Sequence, residues 1–399
     1  MKKICLVVLG MYVGILGAFS QQVDSVAYKS RKLKLDEVNL VSSYYSQNGN
    51  NSAVEGGKGS EKLNDIANVI DIKLLFYDKH QRKNTINGEI GIDHYTSASS
   101  DMIDTKANSS ASSADTRFYP SISWNIENEK KGTALGITAS ASTEFDYQSF
   151  GIGANVSLKS KDKNRELGFK AQAYLDKVSL VLPVELRTGV NNGGGGQGSG
   201  TSARNSFSGS VSLLQVINKR LQIMFVADLI MQQGFLSLPF HRVYFSDYGF
   251  SKSEKLPSAR LKIPVGFRAN YFLGDKIILR TFYRLYRDDW GLTANTIDVE
   301  TAYKVTPFFS ITPFYRFYNQ SSVDYFAAKG IHKNADEFYT SNYDLSKFKS
   351  NFFGAGIRFA PAKGVFGIKN WNMAELRYGH YNRSTGLNSD IISLNLRLK

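Results

Sequence analysis

The chain has one cysteine, eight prolines and, beyond residue 19, no run of about twenty apolar residues. Cys5 lies inside the amino-terminal apolar segment, so the rest of the chain carries no thiol. Disulfide frameworks, zinc-thiolate sites and cysteine nucleophiles are thereby excluded. The missing long apolar run excludes a helical inner-membrane protein. Nucleic acid is not an expected partner, because no DNA- or RNA-binding motif accompanies the net charge of +14. Much of that charge falls in turns such as Lys79 to Lys83.

Aromatics, by contrast, are plentiful, with 22 Tyr and 26 Phe. Strands need such β-formers, and membrane interfaces need amphipathic rings. The amino terminus reads as a signal peptide over 1–20: Met1-Lys2-Lys3, an apolar run from Ile4 to Phe19, and small residues around Ala18 and Ser20. Residues 21–36 read as a periplasmic lead and 37–399 as one barrel domain.

The last hairpin shows the pattern most clearly. Ile392, Leu394, Leu396 and Leu398 alternate with Ser393, Asn395 and Arg397, while Ala374, Leu376 and Tyr378 alternate with Glu375, Arg377 and Gly379. One face is apolar and one wet, as a barrel wall between lipid and lumen requires. The same alternation recurs along the chain, for example Ile70, Ile72 and Leu74 against Asp71 and Lys73. It predicts an all-β, antiparallel up-and-down transmembrane barrel of about sixteen strands (roughly 14–18). The long gaps (46–66, 97–116, 177–205, 232–257 and 320–346) all fall at odd-to-even connections. Long external loops and short periplasmic turns follow, a sorting that two soluble β-domains would not need.

Particular segments also look familiar. Ser43-Tyr44-Tyr45-Ser46-Gln47, Tyr95 to Asp101, Ser112 to Arg117, and Arg377 to Arg383 resemble the family called domain of unknown function 3570 over nearly the whole chain after the leader. The resemblance implies an outer-membrane barrel of unassigned activity and brings no catalytic residues. Leu398-Lys399 stands where such barrels usually carry a terminal aromatic for the barrel-assembly machinery, an expected partner together with outer-membrane lipid.

With the apolar positions facing lipid, the expected lumen cations are Arg260, Lys262, Arg268, Arg280, Arg284, Arg316, Arg358, Arg377, Arg383 and Arg397. The expected lumen acids are Glu89, Asp93, Asp298, Glu300 and Glu375. The second half of the lumen should be electropositive and favour anions, unless the guanidiniums pair with carboxylates and only stiffen the wall. No enzyme is expected. Asp93-His94 and Asp288-Asp289 resemble a rim protease's acid and His-acid pairs, but strand neighbours point to opposite faces and split them. No histidine has a serine two residues away. Asp101, Asp104 and Asp115 are weak calcium candidates without the alternation of a calcium loop; no cofactor is expected. The glycine run 193–200 lacks the Gly-Lys-Ser/Thr of a phosphate loop and reads as a flexible loop.

The expected function is a channel or transport pore for small anionic solutes. The alternative is a plugged scaffold whose external aromatics, among them Tyr244, Phe245, Tyr248, Phe250, Tyr325, Phe326, Phe338 and Tyr339, dock a lipoprotein or surface protein. A rim hydrolase stands third.

Overall fold

The computed structural model describes residues 31–97, 114–187 and 200–399. The first half of the wall is β1 (Lys34–Asn48), β2 (Leu63–Tyr77), β3 (Lys83–Ser97), β4 (Ala114–Asn128), β5 (Thr133–Thr143), β6 (Tyr147–Lys159), β7 (Arg165–Ser179), β8 (Thr201–Asn218) and β9 (Leu221–Gly234). A short external hairpin follows, β10 (Arg242–Tyr244) with β11 (Ser251–Ser253). The wall then resumes with β12 (Ala259–Leu273), β13 (Ile277–Asp288), β14 (Thr293–Lys304), β15 (Phe309–Gln320), β16 (Phe348–Phe359), β17 (Trp371–Arg383) and β18 (Asn388–Leu398). Sixteen of these strands pair antiparallel with their neighbours in the wall, and β18 closes on β1, so the sheet has no free edge. Closure satisfies the backbone groups of every strand inside a membrane.

Register sorts the side chains. Val38, Leu40 and Tyr44 stand opposite Leu398, Leu396 and Ile392 on one face, while Asn39, Val41 and Ser43 stand opposite Arg397, Asn395 and Ser393 on the other. The first face is the outer one. Ile122, Ile137, Ile152 and Leu229 each leave more than half of their surface exposed, which costs nothing when the surrounding solvent is lipid. Toward the external rim this face carries tyrosines whose hydroxyls donate to a neighbouring outward polar residue: Tyr283 to Asn295 (2.7 Å), Tyr315 to Asn351 (2.8 Å) and Tyr378 to Asp390 (2.7 Å). Each ring lies against hydrocarbon with its polar tip aimed at water, as an interfacial girdle requires.

The strands outrun the sequence-based bounds at several ends. β1 begins at Lys34 rather than Glu37, so the expected lead 21–36 overlaps the wall; β2 begins at Leu63 rather than Ala67, and β8 at Thr201 rather than Phe207. Apolar alternation marks a strand only where one face meets lipid. Above that belt both faces are wet and the sheet continues without the cue. The β10–β11 hairpin falls where the sequence predicts loop, because three-residue strands leave no period to read. The expected signal peptide, Asp101, Asp104 and all of the glycine run but Gly200 lie outside the described residues.

The described external loops 49–62, 235–258 and 321–347 are not splayed. Loop 49–62 joins β1 and β2; loop 235–258 joins β9 and β12, eight strands away in either direction round the ring. The two nevertheless touch. Arg242 donates to the carbonyl of Val54 (2.9 Å) and pairs with Glu185 of a third loop (2.5 Å), while Lys329 of loop 321–347 donates to the carbonyl of Glu55 (2.9 Å). Loops from opposite sides of a ring can meet only across its mouth. Gly56 and Gly57 make the approach possible. Both have positive φ, and a Cβ would lie 2.7 Å from the Tyr244 ring at Gly56 and 2.6 Å from the Ser341 carbonyl at Gly57.

Inside this cap, Val243, Phe245 and Tyr339 form one apolar cluster. Leu256, Trp290, Leu292, Ala294 and Val323 form another, with Tyr325 and Phe326 packed against it. Four of the expected docking aromatics, Phe245, Tyr325, Phe326 and Tyr339, are therefore cap core.

Candidate functional site

The register turns Arg260, Lys262, Arg268, Arg280, Arg284, Arg316, Arg358, Arg377, Arg383 and Arg397 to the inner face of β12 to β18, together with Asp298, Glu300 and Glu375. Six of the ten cations are tied to carboxylates. Arg280 and Arg377 share Glu300 (2.5 and 3.0 Å), Arg377 also reaches Glu375 (3.4 Å), and Arg316 pairs with Asp298 (2.8 Å). Arg397 pairs with Glu37 (3.3 Å), Arg383 with Asp344 (2.8 Å) and Arg260 with Asp288 (2.5 Å). Among the described residues, Lys262, Arg268, Arg284 and Arg358 have no ion-pair partner; Arg268 only rests over the Phe282 ring at 5.4 Å. The wall is thus partly stiffened by pairing and partly left with open positive charge.

Across the lumen the sign reverses. β3 stands eight strands from β13, and β2 to β4 turn Asp65, Asp71, Glu89, Asp93, Asp115 and Glu127 inward, against the cations Lys73, Lys83 and Arg117. Tyrosine hydroxyls hold several of these acids, Tyr119 donating to Asp93 (2.7 Å) and Tyr95 to Asp115 (3.2 Å). Hydroxyls fix a carboxylate without neutralising it. The intervening wall is lined by small residues in its middle, with Ser208, Ser210 and Ser212 of β8 facing inward opposite Gln172, Lys170 and Gly168. Its two mid-wall charges, Lys170 of β7 and Asp228 of β9, are of opposite sign and flank Ser210. A lumen with opposite signs on opposite walls carries a field across its axis.

The cap shapes the external end of the basic wall. Asp288, fully buried, accepts from Arg260, from the Tyr286 hydroxyl (2.8 Å) and from the backbone N–H groups of Trp290 and Leu292 (both 3.0 Å). Arg260 in turn lies over the Trp290 ring at 4.3 Å. Asp289 instead accepts from the Leu261 N–H (3.0 Å), so this pair is divided between two structural tasks. Asp93 likewise faces inward, while His94 faces out and contacts the Thr116 hydroxyl at 2.9 Å.

A second buried lock, which no sequence pattern announces, joins β10–β11 to loop 321–347. His241 and Glu254 meet at 3.0 Å, and Thr340 donates to the same carboxylate oxygen (2.5 Å). The hydroxyl donates to the acid, not the imidazole, and all three side chains are sealed from solvent. The trio is a brace, not a nucleophile and base. Only burial reveals it, since Thr340 lies 86 residues from Glu254 and nothing in the sequence joins it to the His241–Glu254 pair. Among the described residues no cluster of His, Cys, Asp or Glu has the makings of a metal site, and Asp115 is occupied by Tyr95 and by the Thr116 and Phe145 N–H groups.

Charges in the cap respond to these contacts. The Arg242 guanidinium holds the Glu185 carboxyl below the usual glutamate range. The Lys333 N–H and His332 do the same for Asp336. Burial pushes Glu61 the other way.

Below the cap, Arg284, Arg316 and Arg383 border a lumen cavity of about 530 Å³ with Phe282, Phe348 and Phe352. A smaller cavity of about 240 Å³ continues along β14 to β18, sharing Arg316 and Phe352.

An apolar belt, a polar two-signed lumen and loops sorted to one end define a transmembrane β-barrel of the outer-membrane type. The chain belongs to the family described as "Protein of unknown function (DUF3570)", which matches residues 80–384, a shorter span than the resemblance in sequence suggests. No curated protein matches it. Solved structures similar in fold include a mutant of the ferric enterobactin receptor PfeA of Pseudomonas aeruginosa, with 10% identity, 88% of this chain and 54% of that chain covered, and a TM-score of 0.45. The chain thus spans about half the length of that receptor. The outer membrane protein OpdK of Pseudomonas aeruginosa aligns at 8% identity over 93% of this chain and 99% of its own, with a TM-score of 0.43. A bacterial polysaccharide outer membrane secretin aligns at 9% over 91% and 98%, with a TM-score of 0.44.

Proposed function

We propose that this barrel is an outer-membrane pore for small anionic solutes, exported by a signal peptide over 1–20 and held nearly closed at its external mouth by its own loops. The observation that carries the reading is the set of lumen cations without carboxylate partners among the described residues, Lys262, Arg268, Arg284 and Arg358, on one side of a lumen whose acids without cation partners, Asp65, Asp71, Glu89, Asp93 and Asp115, gather on the other. An anion moving along β12 to β16 exchanges water for guanidinium hydrogen bonds at successive stations, while the opposite wall repels it toward them. The interlocked loops keep the resting permeability low.

Proteoliposome swelling tests this. Gluconate should permeate faster than glucosamine of similar size, and reversing charge at Arg268→Glu and Arg284→Glu together should invert the order. Equal rates for the two solutes, unaffected by the double variant, would remove the proposal.

A scaffold reading has one observation in its favour. Phe250, 74% exposed, and Tyr248, 42% exposed, stack edge-on at 5.8 Å beyond the cap, outside the apolar clusters. Photocrosslinking from position 250 in whole cells should capture a discrete surface protein if this reading holds, and lipopolysaccharide or nothing if it does not.

A further inference from the structure

The cavity beneath the cap has the make-up of a ligand site. At about 530 Å³ it is within the size range of small-molecule sites. Its cations come from strands, not loops: Arg284 from β13, Arg316 from β15 and Arg383 from β17, all on the inner face. Among the described residues, Arg284 has neither a carboxylate nor another hydrogen-bond acceptor. The Thr296 hydroxyl, on a residue 5% exposed that lines the same space, has no partner among them either. A free guanidinium beside an orphaned hydroxyl is a set of donors without an acceptor. Much of the remaining surface is ring: Phe348 lies under Arg383 at 4.4 Å and Phe352 near Arg316 at 6.0 Å.

One acceptor already reaches in, and it belongs to the cap. Asp344 sits in a single 3-10 turn, Tyr343–Leu345, fixed by the Asn342 side chain accepting from the Asp344 N–H (2.9 Å). Gln320, at the external end of β15, clasps that turn by donating to the carbonyls of Asp344 and Ser346 (2.9 and 2.6 Å). The Asp344 carboxylate then meets Arg383 at 2.8 Å while leaving two thirds of its own surface open. Three guanidiniums in this space face only Asp298 and Asp344 among the described residues, which leaves one positive charge unmatched.

We propose that this cavity binds small organic monocarboxylates with a planar apolar body, the carboxylate held by Arg284 and Thr296 and the body between the phenylalanine rings, and that Asp344 is its resident competitor. A ligand carboxylate supplies the missing negative charge and competes with Asp344 for Arg383. Ligand binding therefore weakens the contact that ties loop 321–347 to β17, linking occupancy to the closure of the mouth. The inference deepens the reading of the lumen as an anion path and rests on it for its biological setting, but its test reads binding alone.

The experiment is calorimetric titration of the detergent-purified full chain with benzoate at low salt, with acetate, inorganic phosphate and benzylammonium as comparisons. Benzoate should bind at one saturable site and at least about tenfold more tightly than the other three, given that charge-assisted hydrogen bonds and ring burial act together. Arg284→Ala should weaken benzoate by about tenfold or more, and Arg284→Lys by less, because an ammonium keeps the charge without the fork. Asp344→Asn should tighten it, since it removes a like charge and frees Arg383. Heat-modifiable migration shows that each variant is folded. Phosphate or acetate binding as well as benzoate, or an Arg284→Ala variant with unchanged affinity, would overturn the site. Looser binding in Asp344→Asn would overturn the competitor role. Binding that persists when swelling shows no anion preference would leave this site standing and remove the pore; the converse result would do the opposite.

Discussion

At the scale of single residues, the acid at position 288 shows how much one side chain can organise. Asp288 is a fully buried carboxylate that accepts from Arg260, Tyr286 and two backbone N–H groups of the β13–β14 turn. Removing one partner of such a pair strands the other in a place without water, at a cost of about 3–5 kcal/mol. Asp288→Ala should therefore lower the unfolding free energy by that order, read from urea transitions of the detergent-solubilised protein. Arg280→Ala, whose guanidinium is about half exposed, should change it by less than about 1 kcal/mol. The sequence marks Asp288-Asp289 as a possible acid pair and Arg260 as a lumen cation, but it contains nothing to join them. Their partnership depends on a register between strands that only the closed sheet fixes. Arg383 and Asp344, 39 residues apart, are a second instance.

At the scale of elements, the wall is largely legible in the sequence and the cap is not. Alternation has a period of two, so Ile263, Val265 and Phe267 announce both the strand β12 and its outward face, and the inward placement of Arg268 follows without further information. A slip of one residue would expose lysines and arginines to lipid, which makes the register strongly determined. The cap has no period. Loops 49–62, 235–258 and 321–347 cohere through a hairpin of three-residue strands, two small apolar clusters and side chains that answer main-chain carbonyls. Their cohesion should depend on acidity. The depressed carboxyl of Glu185 contributes fully above the ordinary glutamate range near pH 4.3, and its contribution is lost as pH falls through its lowered value. Asp336 acts in the same direction, whereas Glu61, raised by burial, gains on protonation. Protonation thus loosens the cap at two carboxyls and steadies it at one, so proteolysis of the cap by an acid protease should accelerate below about pH 4. Part of that acceleration should be missing in Glu185→Gln, which has no proton to gain there. A cleavage rate independent of pH in wild type, or identical profiles in the two proteins, would contradict the assignment.

At the scale of the whole molecule, the fold separates three jobs by direction. The outer face meets lipid, the inner face sets opposite charges on opposite walls, and the external end folds back over the mouth. The central claim is that these loops, and not the barrel wall, limit passage along a lumen that favours anions. The most direct measurement is unitary current in planar bilayers under a salt gradient, compared between wild type and Arg242→Ala, which unties loop 235–258 from both Val54 and Glu185. The account predicts a small wild-type current with an anion-selective reversal potential, and a several-fold larger current of the same selectivity once Arg242 is lost. A large wild-type current unaffected by Arg242→Ala, or cation selectivity in either protein, would contradict it.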